Sequence, residues 1–358
     1  MTDSSLTAMR DLIQEDVGGR GLRADPLTNL INACPDDFAI ACRDLAETSP
    51  CELLIVTGFY IADATPPCAE TDGPLGALFL ARALTPLGIA VRLVTDSYCI
   101  RPLQEGLAAC GLKDRVAVIE LPPETTLEDY GDDVLWNALD APEGDAGFPL
   151  THLLALERVG PSHTPASVRH QPESTSVDVH RFRSQVPARH HDRCHSMRGR
   201  DITAETRPAH LLFETAPYWK PPIHTLGIGD GGNEIGMGKI PWDTIQRNIP
   251  NGGLLACRVP TDYLIVAGVS NWGAYALAAG VRLLRGAPHD PALFDVDRER
   301  ELLQIMVERG PLVDGRTGRQ EATVDGLPFD RYAEVLKQLD AILARAEKEK
   351  PCPLALTH

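Results

Sequence analysis

The strongest constraint on the fold is a succession of short, uninterrupted apolar runs that end where polar or glycine-containing loops begin. Leu53-Leu54-Ile55-Val56-Thr57 runs into Gly58, residues 90–95 run into Asp96, and a third run covers residues 116–121. Strands covered by helices on both faces lose polar alternation, so each run reads as a buried parallel strand. Helical stretches separate them. One starts near Asp72-Gly73-Pro74 and runs through Leu87, with Pro74 in its first turn and Gly88 as its stop; the next covers residues 102–110 and ends at Gly111. Further strands are predicted at 152–156, 224–228 and 263–267, and helices at 272–284, 291–309 and 329–347. This β-α-β-α-β order specifies an α/β fold: a Rossmann-like, doubly wound, mostly parallel sheet with flanking helices.

The first fifty residues read as a helical segment packed on the main domain, with apolar positions at Leu27, Leu30, Ile31 and across 38–45. The catalytic α/β domain is expected over 51–348, followed by a tail at 349–358. Residues 160–195 break the pattern as a polar insertion rich in Pro, Ser and Arg, read as a mobile surface excursion or a small subdomain at the edge of the sheet. The stretch 160–200 holds six of the eleven histidines, but His190, His191 and His195 lack the i, i+4 spacing of a helical metal-ligand pair.

A net charge of −16 argues against nucleic acid or an anionic membrane surface as partner. It also means that any anionic substrate must be held by local donors. Nine scattered cysteines without a C-x-x-C pair predict free thiols in a reducing cytoplasm. The N-terminus carries acids early and has no apolar signal region, and no apolar run reaches the length of a membrane span.

Ligands of parallel sheets bind at the carboxyl ends of the strands, and five polar loops of this chain are predicted to meet there. The most telling is Gly227-Ile228-Gly229-Asp230-Gly231-Gly232-Asn233-Glu234-Ile235-Gly236-Met237-Gly238-Lys239, with six glycines in residues 227–238. Consecutive N–H groups there can form an anion-binding nest, beside two carboxylates and an amide. It is not a Walker loop, since no G-K-[ST] follows. In the first loop Glu70, Thr71 and Asp72 precede a helix start at Gly73-Pro74, whose free N–H groups suit a carboxylate unless Thr71 or Asp72 simply caps the helix.

These loops, in order, resemble the D-glutamate cyclase family: TGFYIADATPPCAETDGPLGALFLARAL, LVTDS, LERVG, MRGRDIT, GIGDGGNEIGMGKI and VAGVSNWGAYALA, spanning residues 50–285. Some relatives carry an additional N-terminal hydro-lyase-like domain and a mitochondrial address, so this chain is expected to be a free-standing cyclase domain of bacterial type. Residues 160–193 are longer than the short link expected of animal relatives. The resemblance implies a carbon–oxygen lyase (hydro-lyase) of D-amino acid metabolism that dehydrates D-glutamate to 5-oxo-D-proline. The alternatives are a related lyase acting on another small amino dicarboxylate, or a sensor whose glycine-rich loop holds a nucleotide or metabolite.

Such a cyclisation needs one carboxylate to take a proton from the substrate ammonium and one acid to protonate the departing oxygen. The candidates are Glu70, Asp72, Glu157, Asp230 and Glu234. For substrate binding they are Thr71, Gly73, Gly231, Gly232, Asn233 and Asn271, with Arg198 or Arg200 as a fork for the α-carboxylate; both arginines could instead pair on the surface with Asp201 or Glu205. Trp272 either helps close the site or belongs to the core. Cys68 reads as a buried cysteine, not a nucleophile. Hard oxygen ligands at Asp230 and Glu234 would suit Mg²⁺ or Mn²⁺, though acid–base pairs leave the same trace. No organic cofactor is expected, and homo-oligomerisation is left open.

Overall fold

The computed structural model describes residues 2–122 and 150–349. The predicted tail lies outside them, apart from Glu349. Among the described residues eight strands occur in the order β1 (Cys51–Thr57), β2 (Tyr60–Ile61), β3 (Cys68–Ala69), β4 (Ile89–Thr95), β5 (Val118–Glu120), β6 (His152–Leu156), β7 (His224–Gly229) and β8 (Tyr263–Val266). Six of them form one parallel sheet in the spatial order β5-β4-β1-β6-β7-β8, while β2 and β3 make a small antiparallel ribbon. Counted along the chain, the sheet order is 3-2-1-4-5-6, that of doubly wound nucleotide-binding folds. The winding reverses between β1 and β6, which pair from Leu53↔His152 to Thr57↔Leu156. A crevice therefore opens beyond Thr57 and Leu156.

The apolar runs are buried on both faces because alternate residues enter two separate cores. Leu53 and Ile55 of β1, with Leu154 and Leu156 of β6, face one helical layer. Leu54, Val56, Leu153 and Ala155 face the other. The first layer is built around the helix Ser270–Leu284, buried from Ser270 through Arg282. Its neighbours include the helices Thr2–Ile13 and Asp37–Glu47, which contribute Leu6, Met9, Ile13, Phe38 and Leu45 to the same core. Trp272 belongs there too, donating its indole N–H to the Tyr332 carbonyl at 3.1 Å.

Two sequence expectations are revised, and a third, open between a mobile excursion and a small subdomain, is decided. Leu27 is 87% exposed, and residues 14–29 form an irregular loop between the first two helices. The helix expected at 102–110 starts five residues earlier, as Ser97–Ala109, with Pro102 inside it. Proline marks a first turn more often than an interior, which displaced the predicted boundary. The polar insertion is a packed subdomain. Its helices Pro165–His170 and Ser176–Gln185 are capped by Thr164 and Thr175, and Val168, Val179 and Phe182 join the second core. Phe182 meets the Trp242 ring edge-on at 5.2 Å. Polar residues dominate only the outer face, which is why the periodicity looked lost.

Phe182→Ala should therefore destabilise the whole fold by about 3–5 kcal/mol, read as a lower denaturant midpoint. An unchanged midpoint would mean that the insertion rides loosely on the sheet.

Candidate active site

Each strand end at the crevice delivers an acid. Glu70 and Asp72 follow β1 and its ribbon, Glu157 follows β6 directly, and Asp230 and Glu234 follow β7. All five are buried, with exposures of 5% or less. Asp325 joins them from the loop beyond residue 313, also buried. Oxygens of Asp72, Asp230 and Asp325 lie within 4.8 Å of one another, as do those of Glu157, Asp230 and Glu234. The two triads share Asp230, and Glu70 is close enough to Asp325 and Asp72 for their charges to act on it, so six buried carboxyl groups form one cluster.

One guanidinium stands among them. Arg20 pairs with Asp230 through Nη1 and with Asp325 through Nη2, the latter at 2.6 Å. Asp16 builds the turn that presents it, accepting from the backbone N–H groups of Arg20 (2.9 Å), Gly21 and Leu22 (3.0 Å each). Burial works against the Arg20 charge, but Asp230, Asp325, Glu157 and Asp72 outweigh it and hold the group firmly protonated. The sequence reading has no place for Arg20 or Asp325. Arg20 lies in a glycine-flanked GGRG stretch, its one signal, and Asp325 in a D-G pair that reads as an ordinary turn.

The loop beyond residue 313 is pinned to the first loop by backbone bonds from Val313 to Ala69 (3.1 Å) and from Thr71 to Val313 (2.9 Å). Asp314 shapes it, accepting from the N–H groups of Arg316, Thr317 and Gly326 and from the Thr323 hydroxyl.

Two helix starts are locked together behind the cluster. Asp72 accepts from the N–H groups of Ser270 (2.9 Å) and Asn271 (2.8 Å), heading the helix Ser270–Leu284. Asn271 returns the arrangement, accepting from Gly73 (2.8 Å) and Gly76 (2.7 Å) at the head of the helix Pro74–Leu84. Gly73 is required here: its φ is 91°, and a Cβ would lie 2.6 Å from Thr57 Oγ1 and 2.9 Å from Glu157 Cβ. The N–H groups expected to seat a substrate carboxylate at Gly73 are thus taken by Asn271 and by Asp72 itself. Thr71 is likewise engaged, donating its hydroxyl to the Thr323 carbonyl at 2.8 Å.

The nest of the glycine-rich segment exists, and its occupant is Glu234. That carboxylate accepts from the N–H groups of Asp230 (3.1 Å), Gly231 (2.6 Å) and Gly232 (2.7 Å). Asn233 donates to the His195 carbonyl at 2.8 Å. Gly231, Gly232 and Asn233 therefore build the frame.

A cavity of about 270 Å³ opens over the cluster. Of the buried acids, Glu70, Glu157 and Asp325 line it with Arg20; Asp72, Asp230 and Glu234 stand behind. Arg198, Arg200 and Arg316 line its outer part. Arg198 and Arg200 do not pair with Asp201 or Glu205 but share Asp63, at 3.1 and 2.8 Å. Cys68 is buried, and burial pushes its thiol up to about 11, which suits a packed cysteine.

Desolvation dominates the titration of the cluster. It raises Glu70 and Glu157 well above the usual carboxyl range, with neighbouring carboxylates adding to the rise and Arg20 opposing it. Glu157 also accepts the Ser270 hydroxyl at 2.5 Å. Asp230 rises for the same first cause, against the pull of Arg20. Asp72 is raised to about 7 by burial and by Asp325, its N–H donors and Arg20 restraining it. Groups of this kind in a cavity are fitted to proton transfer near neutral pH.

A hard cation also fits this donor set. Asp230 Oδ2 and Asp325 Oδ2 are buried without a hydrogen-bond partner, and every nearby ligand atom is a carboxylate oxygen. Glu234 fits less well, since backbone N–H groups occupy both its oxygens.

The fold and site define a doubly wound α/β protein with a buried acid cluster at its topological switch point. Residues 9–340 match the family described as D-glutamate cyclase-like, C-terminal. The chain belongs to that family. It is also 29% identical over 353 residues to the human protein named D-glutamate cyclase, mitochondrial, with 92% of this chain covered. The match takes in 50% of that relative, so the chain spans about half its length. No helix among the described residues is long and apolar enough to cross a membrane.

The raised carboxyls make stability fall with pH. The folded state keeps protons that the unfolded chain has already released above about pH 4, so each such group weakens the fold as pH rises toward its folded value. Between pH 7 and 8 the buried His163 and His210, held down to about 3 and 4 chiefly by burial, are neutral in the folded state and mostly neutral in the unfolded one, so their opposing contribution is small. In that window stability should fall by up to about 1.4 kcal/mol per pH unit for each carboxyl still protonated. Denaturant titrations in chelator should show the slope, and Glu70→Gln should flatten it.

Proposed function

We propose that the chain closes D-glutamate into 5-oxo-D-proline with loss of water. The supporting observation is the polarity of the cavity, with Glu70, Glu157 and Asp325 deep inside and Arg20, Arg198, Arg200 and Arg316 along its walls. A substrate with one ammonium and two carboxylates matches that distribution, even in a chain of net charge −16. The family and the human relative's name point the same way. A phosphate-binding sensor fits poorly, because the N–H nest that would hold the phosphate is filled by Glu234.

In this reading the arginine forks hold the substrate carboxylates and bend the chain so that the α-amine meets the γ-carbon. One of Glu70 and Glu157, as carboxylate, takes a proton from the ammonium. The nitrogen lone pair forms the C–N bond while the other, as carboxylic acid, protonates one oxygen of the tetrahedral intermediate. Now a carboxylate, that group takes the second nitrogen proton. The first returns its proton to the departing hydroxyl as the C–O bond breaks and water leaves. Two protons leave nitrogen and two leave in the water, so the enzyme returns to its starting state. The remaining N–H groups of Arg20 can support the oxygen on which negative charge grows. Asp72, Asp230 and Glu234 act as positioning groups, fixing two helix starts, Arg20 and the glycine-rich loop. A divalent cation held by Asp230 and Asp325, with Asp72 beside them, would supply Lewis-acid polarisation of the γ-carboxyl.

The test is turnover. Purified protein given D-glutamate, with and without Mg²⁺ or Mn²⁺, should yield 5-oxoproline, and L-glutamate should yield far less. Glu70→Gln and Glu157→Gln should each lower kcat by about 10²- to 10⁴-fold. A cation-ligand role for Asp230 would show as partial recovery of Asp230→Asn at high Mg²⁺ or Mn²⁺. Lactam formation from a different amino dicarboxylate would keep the chemistry and change the substrate. No product from any amino dicarboxylate would end the reading.

A further inference from the structure

We propose a second ligand site, for a zinc-class transition-metal ion, at the opposite end of the sheet, made by Asp44, His152 and His224. It stands apart from the activity proposed above. His152 opens β6 and Glu157 follows that strand, so the two sites lie roughly 16 Å apart at the rise of a parallel strand. His224 opens the adjacent β7, and Asp44 comes from the helix Asp37–Glu47. Asp44 Oδ2 lies 2.5 Å from His224 Nδ1 and 3.4 Å from His152 Nε2. One ligand atom from each residue falls within 4.8 Å of the other two.

The hydrogen bonds around His152 fix which nitrogen faces this point. Thr151 Oγ1 accepts from the Glu52 N–H at 3.0 Å and spends its single proton on the Glu52 carbonyl at 2.9 Å. With the Thr151 proton on the Glu52 carbonyl, His152 Nδ1, 2.8 Å from the same oxygen, is the donor. In the neutral ring Nε2 is then a bare lone pair. It is buried on a side chain only 1% exposed, and its contact with Asp44 is too long and poorly aligned for a well-formed hydrogen bond. At 3.4 Å it confronts a carboxylate oxygen that also carries lone pairs. In that tautomer a cation between the two atoms would satisfy both. A ring N–H bound to a neighbouring oxygen while the other nitrogen is presented bare is how proteins prepare a metal-ligating histidine. Tyr263 engages Asp44 from β8, as the outer partners of a ligating carboxylate do.

The donor set selects the ion. Two imidazoles and one carboxylate suit zinc and its neighbours, whereas the oxygen-only cluster at the other end suits magnesium or manganese. Metal–ligand bonds of about 2.0–2.1 Å at tetrahedral angles place ligand atoms about 3.3 Å apart. The His152–Asp44 spacing already matches. The His224 ring, about half exposed, has to draw back by less than about 1 Å, and its exposure leaves a way in for the ion and a water as fourth ligand. An ion there would tie the helix Asp37–Glu47 to the amino ends of two central strands.

The test is a Co²⁺ titration of the tag-free full chain at pH 7.5, followed by visible absorption, with Zn²⁺ as competitor. The wild type should take up one ion per chain with the intense bands of low-coordinate cobalt, displaced by Zn²⁺. His224→Ala, which alters a half-exposed ring, should weaken binding by at least about tenfold, comparable to or beyond the loss of an outer partner, and Asp44→Asn should do the same. Asp230→Asn should leave the bands unchanged. Absence of bands at millimolar Co²⁺ would overturn the proposal. So would bands that survive in folded His224→Ala, or that vanish in Asp230→Asn.

Discussion

The structure turns on a charge imbalance: six carboxyl groups enclosed with a single guanidinium. Isolated buried charges are among the most costly features a fold can contain. Nearly every irregular element here bears on this one. The loop at 14–29 exists to bring Arg20 inward, and Asp16 fixes its backbone. The loop at 313–326 brings Asp325 as the second partner of Arg20. Two helices start at the cluster with their positive dipole ends toward the acids, one capped by Asp72 and the other by Asn271. What remains is relieved by a raised affinity for protons at Glu70 and Glu157, which burial drives well above the usual carboxyl range.

The same logic explains why Asp72 and Glu234 look catalytic in the sequence yet sit behind the cavity. Each spends its oxygens on backbone N–H groups, Asp72 across to Ser270 and Asn271, Glu234 within its own loop. A carboxylate in either position stabilises geometry as much as charge. Removing one would move a helix start or collapse a loop before it altered any proton transfer. Glu70 and Glu157 differ in kind, because they line open space.

The sheet was legible because burial on both faces leaves an unmistakable mark, as in Leu53 to Val56, where successive residues enter different cores. The acids after β1, β6 and β7 were legible because each directly follows such a run or its loop. Arg20 and Asp325 were not, since Arg20 meets Asp230 across a separation of 210 residues and neither follows a strand. Helix boundaries failed where a local rule was overridden: Pro102 sits inside a helix begun by Ser97. The insertion misled for a related reason. Its apolar contribution rests on a few side chains such as Val179 and Phe182, too sparse to register as periodicity though sufficient to anchor two short capped helices.

Placing the cluster at the switch point follows from the sheet itself. Between β1 and β6 the connecting helices depart to opposite faces, leaving the one gap in the rim where backbone does not fill the space above the strands. In nucleotide-binding relatives of this architecture, a glycine-rich turn after the first strand and the helix behind it hold a phosphate. Here the first strand is followed by a long loop carrying two of the buried acids, Glu70 and Asp72, and Asn271 occupies N–H groups of the helix that follows. The glycine-rich segment comes after β7 instead, and its N–H groups hold the chain's own Glu234. The anion site of the architecture has thus been filled from within by carboxylates. That change turns a surface made to receive negative charge into one that must shed it, to a proton, to an ammonium or to a metal ion.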